Sequence, residues 1–297
     1  MLKKSLIIQS AVNIAEEISA SAIIIIMSNE LPIDIDTDIP VLFASTSAMM
    51  AADHLLEAGN VEEGKDSTRR LQAISETLYY KGTLGSERIS DASAIAFIAN
   101  ILAADHIVGI VSHGETTSIV VHDLKANPVV KELRACSERV NLNTLKSILM
   151  IAMDLGAYGR EGKPVGTAFI IGDMEEVMKR SHQLVLNPFF GHPKEELNIR
   201  DPVKWETVKE FAQLDGIFVM DSHGYIHAAG RYLDVNAREV EMVKGLGGRH
   251  ASAAAITRDT EAVAVTTSES DGMVRVYRDG IQIIEIDPRA SKVSRYK

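Results

Sequence analysis

The chain has 297 residues, 46% of them hydrophobic, enough to bury one large core or two of ordinary size and too many for wholesale disorder. Its 31 Lys and Arg against 41 Asp and Glu leave a formal charge of −10 at pH 7, which repels a phosphate backbone and argues against general nucleic-acid binding. A single cysteine, Cys136, excludes an internal disulfide and any multi-cysteine zinc site, and suits a reducing cytoplasm.

From the N-terminus, the apolar stretch after Lys3-Lys4 is interrupted by Gln9, Asn13, Glu16 and Glu17, so a secretory signal is not supported. The longest charge-free runs, Ile18 to Asn29 and Ala92 to Ala104, are too short and too often broken by Ser or Asn to cross a bilayer, and a cytoplasmic location is expected. Ile14, Ala15, Ala20 and Ile23 reappear 84 residues later as Ile98, Ala99, Ala104 and Ile107. In each copy an Ala-rich amphipathic helix runs into a β-branched strand, at 23–26 and 107–111, and helix then buried strand, twice, predicts a parallel sheet. A strand at 41–44 and a helix near Asp66 to Tyr80 complete a small parallel α/β domain over residues 1–125.

The charged, Pro128-containing segment 124–143 holds the domain boundary, and residues 126–297 form the second domain. A helix from about Asn143 carries Leu145, Ile148, Leu149 and Ala152 on one stripe and ends at Gly156 and Gly159. Strand 165–171 follows, then a helix opened by Asp201-Pro202. Strands at 217–220 and 225–229 flank the turn Asp221-Ser222-His223-Gly224. Strands at 262–267, 273–277 and 281–286 are separated by Ser270-Asp271-Gly272 and Arg278-Asp279-Gly280, so a mixed, largely antiparallel sheet flanked by helices is expected.

Three places can carry chemistry. In Lys244 to Thr257 the glycines, including Gly247 and Gly248, precede Arg249, His250 and a small-residue helix, so that bare N–H groups, a helix start and a guanidinium converge where a phosphate could bind. Asp215-Gly216 opens a strand, where a carboxylate can hold the divalent cation that an acidic chain needs to handle a polyanion. Ser268-Glu269 offers a hydroxyl and a second carboxylate after strand 262–267. Each, alone, also reads as an ordinary turn or helix start.

Other patterns carry less. Counting from Asp34, the sequence Asp34, Asp36, Asp38 has Ile39 and Ser45 where a calcium loop needs Gly and Glu. His223 and His227 flank a hairpin turn rather than sharing a helix face, and read against zinc. Ser112 to Thr117 follows a buried strand, a position for a ligand loop or a plain strand-to-helix turn. Met49, Met50, Met150 and Met153 sit at core-like positions.

Taken together, the segments resemble the diadenylate cyclase domain, most closely its archaeal branch, over roughly Leu133 to Pro288. The resemblance is carried, in order, by Gly166-Thr167-Ala168-Phe169-Ile170-Ile171-Gly172-Asp173, Asn187-Pro188-Phe189, Leu214-Asp215-Gly216, Ala228-Ala229-Gly230-Arg231-Tyr232-Leu233, Gly248-Arg249-His250 and Ser268-Glu269. The first 125 residues resemble the α/β domain, related to the C-terminal domain of pyruvate kinase, that precedes the cyclase in archaeal members.

The resemblance implies condensation of two ATP into cyclic di-AMP with release of two pyrophosphates. It implies Asp215 and Glu269 as ligands of Mn²⁺ or Mg²⁺, with Asp215 near the attacking 3′-hydroxyl, and Arg249 and His250 on the triphosphate beside the N–H groups around Gly247 and Gly248. Gly216 and Ile217 would border the nucleotide, Ser268 would complete the phosphate shell, and Tyr232 and Leu233 would wall the adenine. Two departures stand out: Asp-Gly-Ala is here Asp-Gly-Ile at Ile217, and Arg-His-Arg is Arg-His-Ala at Ala251, which removes a forked phosphate donor. Because the product has two equivalent phosphodiester links, two domains should meet about a two-fold axis, each bringing one ATP, in a homo-oligomer without nucleic-acid or membrane partners. The alternative is a non-catalytic ATP or cyclic di-AMP sensor; a pyruvate-kinase-like enzyme is disfavoured because no barrel is suggested.

Overall fold

The computed structural model describes residues 2–26, 35–45, 85–102, 106–113, 116–160, 163–240, 247–289 and 292–295. The helix expected near Asp66 to Tyr80, and Asp34, Met49, Met50, Gly114, Glu115 and residues 244–246, lie outside them. The chain divides into two compact units, residues 1–130 with 289–297, and residues 131–288. Among the described residues no helix is long and apolar enough to cross a membrane.

In the first unit, helix α1 (Leu2–Glu17) leads into strand β1 (Ala22–Ile26), strand β2 spans Val41–Ser45, and helix α2 (Gly85–Ile98) leads into strand β3 (His106–His113). The repeated helix-strand unit is therefore present. On α1, Ile8, Ala11, Val12 and Ala15 recur at helical spacing and are buried against Ile23, Ile25, Val108 and Ile110. Strand β1 pairs in parallel with both β2 and β3, as the sequence predicts. Two antiparallel edges were not foreseen. Strand β4 (Thr116–Asp123) pairs antiparallel with β3, with Ser112 opposite Thr117 and His113 opposite Thr116, so β3 is followed by a strand rather than by the helix that a strand-to-helix turn at Ser112 to Thr117 would open. The last strand, β12 (Lys292–Arg295), pairs antiparallel with β2, so the chain returns to the first unit after residue 288 rather than ending in the second.

Helix α3 (Pro128–Cys136) occupies the segment read as a boundary; Asn127 caps it, its Oδ1 accepting from the N–H groups of Val129 at 3.0 Å and Val130 at 3.2 Å. Helix α4 (Leu142–Ala157) begins slightly earlier than expected because Asn141 caps it, accepting from Asn143 N–H at 2.9 Å. Strand β5 (Thr167–Ile171), helix α5 (Met174–Lys179) and strand β6 (Ser181–Gln183) follow. Asp201 caps a 3₁₀ turn at Pro202–Lys204 that leads into helix α6 (Trp205–Phe211). Then come strands β7 (Ile217–Met220) and β8 (Ile226–Leu233), helix α7 (Gly248–Asp259), and strands β9 (Val263–Thr267), β10 (Val274–Arg278) and β11 (Ile281–Ile286).

The second sheet runs β11-β10-β9-β5-β7-β8-β6, and only β5 and β7 are parallel neighbours. It is mixed and largely antiparallel, as expected. Alternation along β9 sorts its faces: Ala264 packs with Ala253 and Ala254 of α7, whereas the Thr267 hydroxyl donates to Ala152 O of α4 at 3.3 Å. Ala253, Ala254 and Ile256 of α7 pack against the sheet in the same cluster as Ala168, Ile170 and Ala264.

Candidate active site

Strand register collects the residues singled out in the sequence at one end of the second sheet. Thr167 opposes Thr267, which places Gly166 beside Ser268 and Glu269. Ile217 opposes Arg231, which places Asp215 and Gly216 beside Tyr232 and Leu233. The N-terminus of α7 opens at the same end: Arg249 Nη2 donates to Asp215 Oδ1 at 3.0 Å. The Asp215 side chain is 72% exposed and that of Arg249 37%, so this ion pair contributes less than about 1 kcal/mol to stability. An open carboxylate-guanidinium pair at a strand end makes better sense as a ligand site than as a brace.

The backbone around the pair is shaped by glycine. Gly216, at φ +105°, donates its N–H to Asp215 Oδ1 at 2.9 Å, fixing the carboxylate against its own strand. A Cβ on Gly166 would lie 2.9 Å from Glu269 Cβ and 3.3 Å from Arg249 Nη1, so Gly166 forms the floor between the guanidinium and the second carboxylate. Sequence reasoning quoted Gly166 but gave it no role; its place immediately before a buried strand was the available signal. Gly247 caps α7 without a side-chain hydrogen bond, and a Cβ on Gly247 or Gly248 would meet nothing within 4 Å. Among the described residues no neighbour requires glycine there, whereas an anion seated on the first N–H groups of the helix would.

Several expected site residues take other places. His250 is buried, with Nδ1 2.9 Å from Thr266 Oγ1 and 3.1 Å from the Tyr277 hydroxyl, and burial, aided by the charge of Arg275, lowers its pKa to about 4. Burial thus favours the neutral imidazole at pH 7, which argues against a second cation at this position. Instead the imidazole ties the first turn of α7 to β9 and β10, which holds Arg249 in place. The Ile217 and Leu233 side chains turn inward, both buried in the cluster with Ala168, Val177, Ala253 and Ile256, which leaves only their backbone to border a ligand. The Ile217 departure therefore falls on core packing, not on the nucleotide face. Tyr232, between the buried Arg231 and Leu233, is 54% exposed. Ser268 is buried, its hydroxyl 3.1 Å from Ser270 Oγ within the turn, while Glu269 is exposed. His227 Nε2 lies 3.4 Å from Asp221 Oδ2, a pairing within the hairpin.

The low pKa of His250 has a measurable consequence. Unfolding exposes a side chain whose ordinary pKa is about 6.5, so below that pH the unfolded chain binds a proton that the folded chain refuses. Stability should fall, by up to about 3 kcal/mol, as the pH drops from about 6.5 towards 4, and His250→Gln should flatten that stretch of the profile in thermal unfolding.

Among the described residues no cluster of three or more His, Cys, Asp or Glu could by itself hold a metal ion. Asp215 and Glu269, on either side of Gly166 and Arg249, still suit a hard divalent cation that takes one or two carboxylates and completes its shell with water and substrate phosphate.

Comparison with known proteins narrows what this arrangement belongs to. Residues 154–282 match the family model described as DisA bacterial checkpoint controller nucleotide-binding. A protein of Methanocaldococcus jannaschii named diadenylate cyclase is 41% identical over 181 residues, 60% of this chain and 57% of that one. Residues 154–282 are thus similar to the diadenylate cyclase domain. A second protein of that name, from Haloferax volcanii, is 42% identical over 170 residues, 57% of this chain and 58% of that one. The chain thus matches somewhat over half the length of these relatives. Residues 6–125 match a model described as a probable sensor domain, DacZ_A. Two solved structures align less closely with this chain. A protein from Bacillus cereus described as a hypothetical membrane spanning protein gives a TM-score of 0.40 at 16% identity, covering 54% of this chain and 71% of its own. DacA from Staphylococcus aureus gives 0.32 at 18%, covering 51% and 85%. Every motif residue that carried the resemblance to the cyclase domain lies within residues 154–282.

Proposed function

We propose that this chain condenses two ATP into cyclic di-AMP and releases two pyrophosphates. The observation that carries the reading is the exposed Arg249-Asp215 pair, 3.0 Å apart, across the uncapped glycine start of α7. The N–H groups at Gly248 and Arg249 and the guanidinium receive the triphosphate, whose negative charge the helix start favours. Asp215 lies where the α-phosphate and an incoming 3′-hydroxyl meet, and Tyr232 offers an aromatic face for the base. Mn²⁺ or Mg²⁺, held by Asp215 and Glu269, would offset phosphate charge and polarise the reacting oxygens. Because Asp215 Oδ1 is engaged by Arg249 and Gly216, its Oδ2 is the oxygen left to face the reaction. Most of the rate enhancement comes from positioning and charge neutralisation rather than covalent chemistry.

One domain supplies one such site, whereas the product needs two reciprocal attacks. Two copies therefore face each other about a two-fold axis, each 3′-hydroxyl in line with the other nucleotide's departing pyrophosphate. Incubation with labelled ATP and Mn²⁺, followed by chromatography, should give cyclic di-AMP; chelation with EDTA should stop product formation and added Mn²⁺ restore it. A protein that binds ATP or cyclic di-AMP but releases no pyrophosphate under these conditions is a sensor, and the cyclase reading fails.

A further inference from the structure

At the active-site end of the second sheet, His182 and Tyr232 stand opposite each other across β6 and β8, their ring centroids 5.4 Å apart. Both are more than half exposed. His182 is nevertheless held in one orientation, because its Nδ1 lies 2.9 Å from both carboxylate oxygens of Asp234. Such a pair in open solvent adds little to stability, and neither side chain packs in the core. No part of the reaction outlined above uses it. Its place is informative: β6 lies two strands from β7, about 10 Å at ordinary strand spacing, so the pair sits beyond Asp215 in the direction of Tyr232.

A carboxylate only accepts, so Nδ1 carries the hydrogen shared with Asp234. In the neutral imidazole Nε2 then presents a lone pair, aimed by Asp234 and flanked by the Tyr232 ring. Adenine differs from hypoxanthine and guanine at the six position, where it offers an amino donor and they offer a carbonyl acceptor. We propose that His182, positioned by Asp234, is a specificity-determining residue that accepts a hydrogen bond from the exocyclic amine of the adenine stacked on Tyr232, so that the site prefers adenine over 6-oxopurine nucleotides. This assignment rests on the ATP site proposed above and extends it from the phosphates to the base.

The test compares ATP with purine riboside 5′-triphosphate, which lacks only the amine, and with inosine triphosphate, by calorimetric binding to the full-length protein. In the wild type, loss of the amine should weaken binding about fivefold, the worth of one neutral hydrogen bond. His182→Ala should bind ATP and purine riboside triphosphate alike. Asp234→Asn, whose amide can donate to Nδ1 and move the imidazole hydrogen to Nε2, should shift preference towards inosine triphosphate. If His182→Ala still makes cyclic di-AMP and keeps the full wild-type discrimination, the base-reading role is overturned while the cyclase reading stands. If the wild type binds no ATP at all, both fall.

Discussion

Asp215→Asn should lower cyclic di-AMP synthesis by about 10³-fold while leaving the fold intact, because several kcal/mol of transition-state charge stabilisation is lost with one negative charge. The substitution is close to isosteric. An asparagine oxygen can still accept from Gly216 N–H and from Arg249, the two bonds that Asp215 Oδ1 makes, so the geometry of the site should survive. Thermal unfolding of the variant should match the wild type within about 1 kcal/mol, as expected for an exposed pair. Arg249→Lys should cost about 10²-fold: it keeps a positive charge but loses the planar fork that can bridge phosphate oxygens and a carboxylate together. Measured turnover of Asp215→Asn near the wild-type rate would remove Asp215 from the chemistry and with it the metal assigned to Asp215 and Glu269. The two variants separate charge from geometry, which a deletion to alanine would confound.

The comparison of sequence with structure is uneven in an instructive way. Strands β7 and β11 were legible to the residue, β7 as an apolar run and β11 as an Ile-rich run, each bounded by turn residues, and so was the mixed character of the second sheet. Helix α5 and strand β6 were not, being short elements whose existence depends on tertiary partners such as Arg231, which donates to Ser181 Oγ at 2.9 Å and to Met178 O at 3.1 Å. Asp215 and Arg249 stood out in the sequence because charged groups beside glycines seldom belong to a core, and the fold brings the two within 3.0 Å. For Ile217 and Leu233 the motif gives a position along the strand but not which face the side chain takes. In β8 that alternation puts Tyr232 outside and Leu233 inside. His250 was misread because the letter suggests a cation, while its charge depends on burial between α7, Thr266 and Tyr277, none of it visible in sequence.

The second large effect concerns stability rather than chemistry, and it falls one residue from Asp215. Gly216 adopts φ +105°, a backbone conformation that side-chain-bearing residues rarely take. A Cβ at this position would stand 2.6 Å from the carbonyl carbon of Gly230, and 2.7 and 2.8 Å from the backbone nitrogen and oxygen of Arg231. These are main-chain atoms of the paired strand and cannot swing aside as a flexible side chain could. Gly216→Ala must therefore either part β7 from β8 or force the turn before β7 into another conformation. Backbone strain and the contact together should cost about 3 kcal/mol or more, read as a lowered denaturation midpoint in guanidinium. Either relaxation disturbs the start of β7 that carries Asp215, so activity should fall further than the loss of folded protein explains when assayed well below the unfolding temperature. Gly166→Ala provides the contrast. Its backbone carries no positive φ, and an added methyl would meet Glu269 Cβ at 2.9 Å and Arg249 Nη1 and the Glu269 nitrogen at 3.3 Å, so activity should fall with a smaller loss of stability than at Gly216. Equal loss of stability in both variants would mean that the close approach at Gly216 does not hold β7 to β8.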